Sequence, residues 1–200
     1  RMSLYDATTT LPNRRLLESR LDEAVRNHQM GGDRLAVLVI DIDDFTKLND
    51  ALGHRVGDSL LQQVAGRLIE TVRTSDLVAR VGSDEFAVVL GRLRHTDDAE
   101  RVATKLAELP SEPYEVDAEQ VTATVSIGVA CFPTDGAGPE MLLRNADAAL
   151  SYAKSRGRAN VQLFDQRMNS DLLRRLQLEA ALRCAIDRRE FEVHFQPRIN

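Results

Sequence analysis

The chain has 200 residues, 43% of them apolar and 28% charged, with no Trp and 4% aromatic residues. That composition builds a packed core and excludes disordered, collagen-like and disulfide-stapled classes. A formal net charge of −5 leaves no broad basic field for a duplex, so nucleic acid is not an expected partner and an anionic ligand has to be met by local groups.

Leu16, Leu17, Leu21, Ala24 and Val25 recur at helical spacing after Pro12 and Asn13, and Gly31-Gly32 closes the run, predicting a helix over 13–29. Leu35 to Ile42 (LAVLVIDI) is almost continuously apolar, as a strand covered on both faces requires, and it runs out into Asp41, Asp43 and Asp44. Leu60, Leu61, Val64, Ala65, Leu68, Ile69 and Val72 keep an amphipathic rhythm that predicts a helix over 57–73. Leu77–Val81 and Phe86–Leu90 flank Gly82-Ser83-Asp84-Glu85, which reads as a hairpin with acids at its tip. A helix over 96–109 is stopped by Pro110. Apolar residues then alternate with small or polar ones from Val121 to Ala130, predicting a strand with one core face. Pro139 to Arg156 reads as a helix ended by Gly157, and Val161 to Phe164 as a short strand.

Interleaved helices and strands with a hairpin among them predict a layered α/β sandwich with a mixed or antiparallel sheet. A long charged helix over 167–188 follows and reads as a linker, and Phe191, Val193 and Phe195 alternate with polar residues as the first strand of a further, truncated domain. Cys131 and Cys184 lack a C-x-x-C companion and read as reduced thiols in a cytoplasmic setting. With no run of about 18 apolar residues, no membrane contact is expected of this segment. The start at Arg1 reads as an excised piece, which leaves an upstream anchor open.

Asp41 at a strand exit and Glu85 at a hairpin tip could meet on one side of the sheet, where hard oxygen ligands suit Mg²⁺ held together with a substrate's phosphates. The plainer reading is that these acids solvate turns. His28, His54, His95 and His194 show no zinc-ligand spacing.

Asp41-Ile42-Asp43-Asp44-Phe45, Asn49-Asp50, Gly53-His54, Gly57-Asp58 and Arg80-Val81-Gly82-Ser83-Asp84-Glu85-Phe86 resemble, in order and spacing, the GGDEF family of diguanylate cyclases. Asp6 with Leu11-Pro12-Asn13-Arg14-Arg15, and Tyr152-Ala153-Lys154 with Gly157-Arg158, resemble that family's flanking motifs, so the likeness covers about 160 residues. It implies a nucleotidyl-cyclase-like α+β fold with a mostly antiparallel five-stranded sheet flanked by helices, over residues 1–165. It also implies that Asp41, the Ile42 carbonyl and Glu85 bind Mg²⁺ or Mn²⁺, with Asp84 and Glu85 as catalytic acids. Guanine is placed against Asn49 and Asp58, which is sensible because a carboxylate accepts from the ring N–H and the exocyclic amine while an amide donates to the carbonyl. The triphosphate is placed against Lys154, Arg158 and the backbone amides from Asp44 through Phe45 to Lys47.

Each of these positions has a competing account. Asp58 could cap a helix beginning near Ser59, Asn49 could be a turn residue, and Lys154 and Arg158 could simply favour a helix C-terminus. The resemblance implies condensation of two GTP into cyclic di-GMP with release of pyrophosphate. Each 3′-hydroxyl attacks the other nucleotide's α-phosphate, so a two-fold homodimer is the minimal active unit. Arg73-x-x-Asp76 resembles the family's inhibitory product site, with Arg80 as a helper.

Three departures from the pattern stand out. Ser83 replaces the second hairpin glycine, and costs about 1 kcal/mol or more if the position needs a positive φ or a close backbone approach to the triphosphate. Thr8-Thr9-Thr10 replaces Leu-Thr-Gly, and Thr46 replaces a frequent Lys. The tail, Leu182-x-x-Ala185-Ile186 and Phe195-Gln196-Pro197, resembles the start of an EAL cyclic di-GMP phosphodiesterase over 190–200, with 166–189 as the linker helix. The expected protein is therefore a bifunctional GGDEF-EAL signalling enzyme. The alternative is a catalytically weak domain that binds GTP or cyclic di-GMP and tunes an adjacent phosphodiesterase.

Overall fold

The structure is a computed structural model that describes residues 4–31, 34–109, 113–116, 119–188, 190–192 and 194. In chain order the elements are α1 (Arg14–Gly31), β1 (Arg34–Ile42), α2 (Phe45–Leu52), α3 (His54–Thr71), β2 (Leu77–Arg80), β3 (Glu85–Leu93), α4 (Thr96–Glu108), β4 (Tyr114–Val116), β5 (Glu119–Val121), β6 (Val125–Phe132), α5 (Pro139–Ser155), β7 (Val161–Leu163) and α6 (Gln166–Asp187).

β1 is the axis of the molecule. It lies at the centre of a five-stranded sheet ordered β2-β3-β1-β6-β7, antiparallel to β3 and to β6, with only β7 parallel to its neighbour. Every residue from Leu35 to Ile42 is buried, which is why the run carries no polar alternation. Its two faces feed two cores. Ala36, Leu38, Ile40 and Ile42 pack with α3 and α4 and with Phe45 of α2, whereas Leu35, Val37 and Val39 pack with Leu17 and Leu21 of α1 and Leu142, Ala146 and Leu150 of α5. The result is the layered, mostly antiparallel sandwich expected. Residues 1–165 form one compact unit and Gln166–Asn200 a second, which contains α6.

The local readings differ from the structure in three places. The stretch after Asp44 is a helix, α2, and Gly53 at φ 89 separates it from α3. α3 therefore begins at His54, so Asp58 lies inside the helix and caps nothing, and Asn49 is helical rather than a turn residue. The strand expected over 121–130 is β6 at Val125–Phe132, while Val121 belongs to a separate hairpin pairing β4 with β5. All eight residues of β6 are buried. Ser126, Gly128 and Ala130 are small because a helix packs on them, not because they face water. Of the predicted terminal strand, Phe191, Glu192 and His194 are in no strand; Val193 and Phe195 lie outside the described residues.

Cys131 is buried and Cys184 exposed. Burial pushes the Cys131 thiol up to about 11, which keeps it a protonated packing group. Among the described residues no helix is long and apolar enough to cross a membrane.

α5 rests on β6 where Gly128 has no side chain. A Cβ there would overlap the Ala146 carbonyl oxygen and the Leu150 amide nitrogen, both fixed helix backbone. Gly128→Ala is expected to cost about 3 kcal/mol through this overpacking. Gly66→Ala, in the middle of α3 with open space around it, is expected to stabilise by about 0.5–1 kcal/mol. Urea unfolding midpoints of the two variants check both signs.

Candidate active site

Asp41 continues the row Leu35, Val37, Val39 on the α5 face of the sheet, so an apolar row ends in a carboxylate. The antiparallel register sets Asp41 directly opposite Glu85 on β3 and opposite Ser126 on β6. Directly opposed residues share a face, with Cβ atoms about 5 Å apart, so the two acids face the same space. The hairpin that supplies Glu85 is locked to β1: the Ile42 amide donates to the Asp84 carbonyl at 3.2 Å, and the Val81 amide donates to the Glu85 carbonyl at 2.9 Å. Gly82 makes room for the Glu85 side chain, since a Cβ at Gly82 would sit 2.7 Å from Glu85 Oε2. Ser83 has no positive φ, so the penalty anticipated from backbone conformation does not arise. Its hydroxyl donates to Asp84 Oδ1 at 2.6 Å.

Lys154, near the end of α5, reaches back to Asp41, with Nζ 2.6 Å from Oδ2. Burial pushes the Asp41 carboxyl above its usual range, the Lys154 ammonium opposes the shift, and the Asp84 and Glu85 charges add to it. Arg158 follows α5 on a left-handed segment: Gly157, Arg158 and Ala159 have φ of 114, 63 and 48. Two of these residues carry a Cβ, at a cost of about 1 kcal/mol or more each. The Arg158 charge is felt at Asp44, whose carboxyl lies below its usual range chiefly because Lys47 bonds to it, at 2.9 Å.

Asp44 also stands at the start of α2, with φ 55 and no side-chain cap bond. The first-turn amides of Phe45, Thr46 and Lys47 are the donors a helix start leaves unpaired, and α2 begins three residues after Ile42, the last residue of β1. One turn further along α2, Asn49 Oδ1 is buried with no hydrogen-bond partner. It lies against Gly57, where a Cβ would collide with it. With the oxygen turned inward, the amide nitrogen is the end left to donate to a ligand. Gly57 precedes Asp58, so its missing side chain lets α2 and α3 bring Asn49 and an exposed Asp58 to one junction.

A divalent cation fits this donor set in a particular way. Among the described residues no group of three His, Cys, Asp or Glu side chains stands ready to hold a metal alone. Two opposed carboxylates and the Ile42 carbonyl are hard oxygen donors, too few for a closed cage. They suit an ion completed by phosphate oxygens and water.

The chain matches the family described as diguanylate cyclase, GGDEF domain, over residues 3–160. It belongs to that family. It is 42% identical over 198 residues to the bifunctional diguanylate cyclase/cyclic di-GMP phosphodiesterase MucR of Pseudomonas aeruginosa, covering 99% of this chain and 29% of MucR. The solved GGDEF domain of TpbB (YfiN) from P. aeruginosa matches with a TM-score of 0.83 at 39% identity, over 84% of this chain and 99% of that one. The GGDEF domain of DgcB from Caulobacter crescentus, solved in complex with c-di-GMP, matches with a TM-score of 0.75 at 28% identity, over 82% and 96%. The five-stranded, mostly antiparallel sheet of this chain is that of GGDEF structures.

Within this GGDEF domain the residues suggested for product inhibition are only partly assembled. Arg73 is exposed and borders a groove of about 1100 Å³ with Arg34, Arg92, Arg94 and Arg101. Asp76 accepts from the Arg73 amide at 3.0 Å and the Gly91 amide at 3.2 Å. Arg80 is not with them. It ends β2, about 13 Å along an extended strand from Asp76, and its guanidinium donates to Asp6 Oδ1 at 2.9 Å and to the carbonyls of Gly82 at 3.1 Å and Ser83 at 2.6 Å. Arg80 holds the acidic hairpin in shape, a role its R-x-x-D neighbourhood did not suggest. The sequence places Asp43 in the acidic strand exit and its motif without giving it a role of its own. It is buried and accepts from Thr124, Ser126 and the Ala159 amide; its position inside an acidic motif was the only signal.

Because the folded chain raises the Asp41 pKa, that group's contribution to stability is full below its unfolded value of about 3.9 and is lost as pH rises through the folded value. Asp41→Asn is therefore expected to raise the Tm of the metal-free protein at neutral pH, with an advantage that shrinks to nothing below about pH 4. Thermal melts in chelator across this range check it. A variant less stable at neutral pH would mean that the bond to Lys154 outweighs burial.

Proposed function

We propose that this GGDEF domain condenses two GTP into cyclic di-GMP and two pyrophosphates. The observation that carries the reading is the Asp41–Glu85 pair, fixed on adjacent strands beside Lys154 and the open amides of α2. Asn49 and Asp58 select guanine, the amide donating to its carbonyl and the carboxylate accepting from its two N–H groups; adenine offers no such pair. Lys154, Arg158 and the amides of Phe45 to Lys47 hold the triphosphate. Asp41, the Ile42 carbonyl and Glu85 would hold Mg²⁺ or Mn²⁺, which polarises phosphoryl oxygens and eases loss of the 3′-hydroxyl proton. Asp84 or Glu85 accepts that proton.

One domain holds one nucleotide, so the two attacks require a homodimer with the sites facing across a two-fold axis. Arg73 and Asp76 bind the product as a feedback site. Residues 1–165 are the cyclase domain, 166–189 a linker helix and 190–200 the start of an EAL phosphodiesterase domain in a bifunctional protein; the alignment with MucR, which extends over 198 residues, supports this. One observation favours a weaker catalyst that regulates the phosphodiesterase: the Ser83 hydroxyl occupies an Asp84 oxygen, competing with its use as a base.

Incubating the purified chain with GTP and Mg²⁺, with its oligomeric state measured alongside, should yield cyclic di-GMP by chromatography at a rate that rises faster than protein concentration. GTP binding without product at high concentration would favour the regulatory reading. Asp58→Ala should weaken GTP binding about 10- to 100-fold, the worth of charged hydrogen bonds of about 1.5–3 kcal/mol. Calorimetry on Arg73→Ala should show lost affinity for cyclic di-GMP, and unchanged affinity would remove the feedback site.

A further inference from the structure

We propose that Asp43 is a positioning residue whose buried carboxylate holds the left-handed turn that presents Arg158 to the triphosphate. The inference rests on the cyclase reading above and adds to it a residue that touches no substrate atom.

Asp43 lies two residues beyond Asp41, just past the end of β1. Its Oδ1 accepts from Ser126 Oγ at 2.7 Å, and its Oδ2 accepts from Thr124 Oγ1 at 2.7 Å and from the Ala159 amide at 3.0 Å. Its own amide donates to the Thr124 carbonyl at 2.9 Å. The carboxylate is thus nine-tenths buried and held by neutral donors from three places: Thr124 on the approach to β6, Ser126 in β6 itself, and Ala159 in the turn after α5. A buried charge without hydrogen bonds would not survive there.

The turn it holds is one that needs holding. Gly157, Arg158 and Ala159 are successive positive-φ residues, and side-chain-bearing residues stay in that region only when their surroundings over-determine it. A connection serving only to join α5 to β7 would be met by Gly or Asn at such positions. Here one of them is an arginine whose charge reaches Asp44. Asn160 completes the frame from the other side, its side-chain amide donating to the Arg158 carbonyl at 2.8 Å and the Ala153 carbonyl at 2.9 Å. β1 therefore sets two things at once: Asp41 places the acid side of the site, and Asp43, one pleat further on, places the arginine that faces the phosphates.

The test is a double-mutant cycle on the full chain, read by binding of a non-hydrolysable GTP analogue with Mg²⁺. Asp43→Asn should weaken binding about 10-fold in the wild-type background and less than about 2-fold when Arg158 is already Ala, because the two residues act as one. Equal losses in both backgrounds, or no loss, overturn the proposal. A second readout needs no nucleotide: hydrogen exchange at the Ala159 amide should speed up at least about 10-fold in Asp43→Asn while the amides of Val37 and Val39 keep their protection. Unchanged exchange at Ala159 overturns the proposal equally. If Asp43→Asn does not fold, Thr124→Val removes one of the two hydroxyls on the carboxylate and is held to the same dependence on Arg158. A wild-type chain that binds no GTP would sink the cyclase reading, whereas normal binding with an additive cycle would sink only the role of Asp43.

Discussion

A strand buried on both faces up to the residue where it turns acidic is the constraint on which the rest of the molecule depends. β1 has no solvent side, so its backbone groups are committed to β3 and β6 and its side chains to two separate cores. A carboxylate placed at the end of such a strand cannot swing into water, and the surrounding protein raises its pKa. The same rigidity makes it useful. Glu85 is brought opposite Asp41 by the ladder register, not by a flexible loop, so two like charges are held on one face at a cost that a cation can relieve.

Absent side chains do as much as present ones around this centre. Gly82 clears space for Glu85, Gly57 lets α2 and α3 close on Asn49, and Gly128 lets α5 settle low enough on β6 for Lys154 to reach Asp41. These are three separate approaches of backbone to side chain or backbone to backbone, and together they set the depth of the site. Among the described residues, side-chain-bearing residues with positive φ stand at Thr10, Asp44, Arg92, Arg158 and Ala159; three of the five lie on the two segments proposed to face the triphosphate. Conformational cost placed beside a ligand site, and offset by a stable sheet, is a recurrent arrangement in functional regions.

The site's electrostatics follow from this layout. An acidic chain has no long-range pull on an anion, so under the proposed function attraction rests on local groups: one lysine, one arginine and the amides of a helix start. In the structure Lys154 is occupied by Asp41, which keeps the buried acid compensated. Under the proposed function, a phosphate would compete for Lys154 and a cation for Asp41.

Much of this could be read from the residues alone. The central strand, the hairpin and the helices flanking them follow from apolar periodicity, because burial on one or two faces leaves a direct mark on which positions may be polar. The acidic strand exit and the spaced motifs pointed to a candidate site at that end of the sheet, because a carboxylate closing a buried strand breaks the apolar pattern the strand otherwise keeps. Residue identity could not reveal what depends on neighbours distant in the chain. α2 is short, so its periodicity is too brief to register, and its helical state showed that Asp58 and Asn49 are not caps or turns. Ser126 and Gly128 looked like the wet face of a strand until α5 was seen to lie on them. Arg80 and Asp43 took their roles from partners 74 and 116 positions away, Asp6 and Ala159. Hydrophobic pattern is written locally, one face at a time. The pairing of a buried charge is decided only when the chain has folded back on itself and excluded the water that would otherwise have served as its partner.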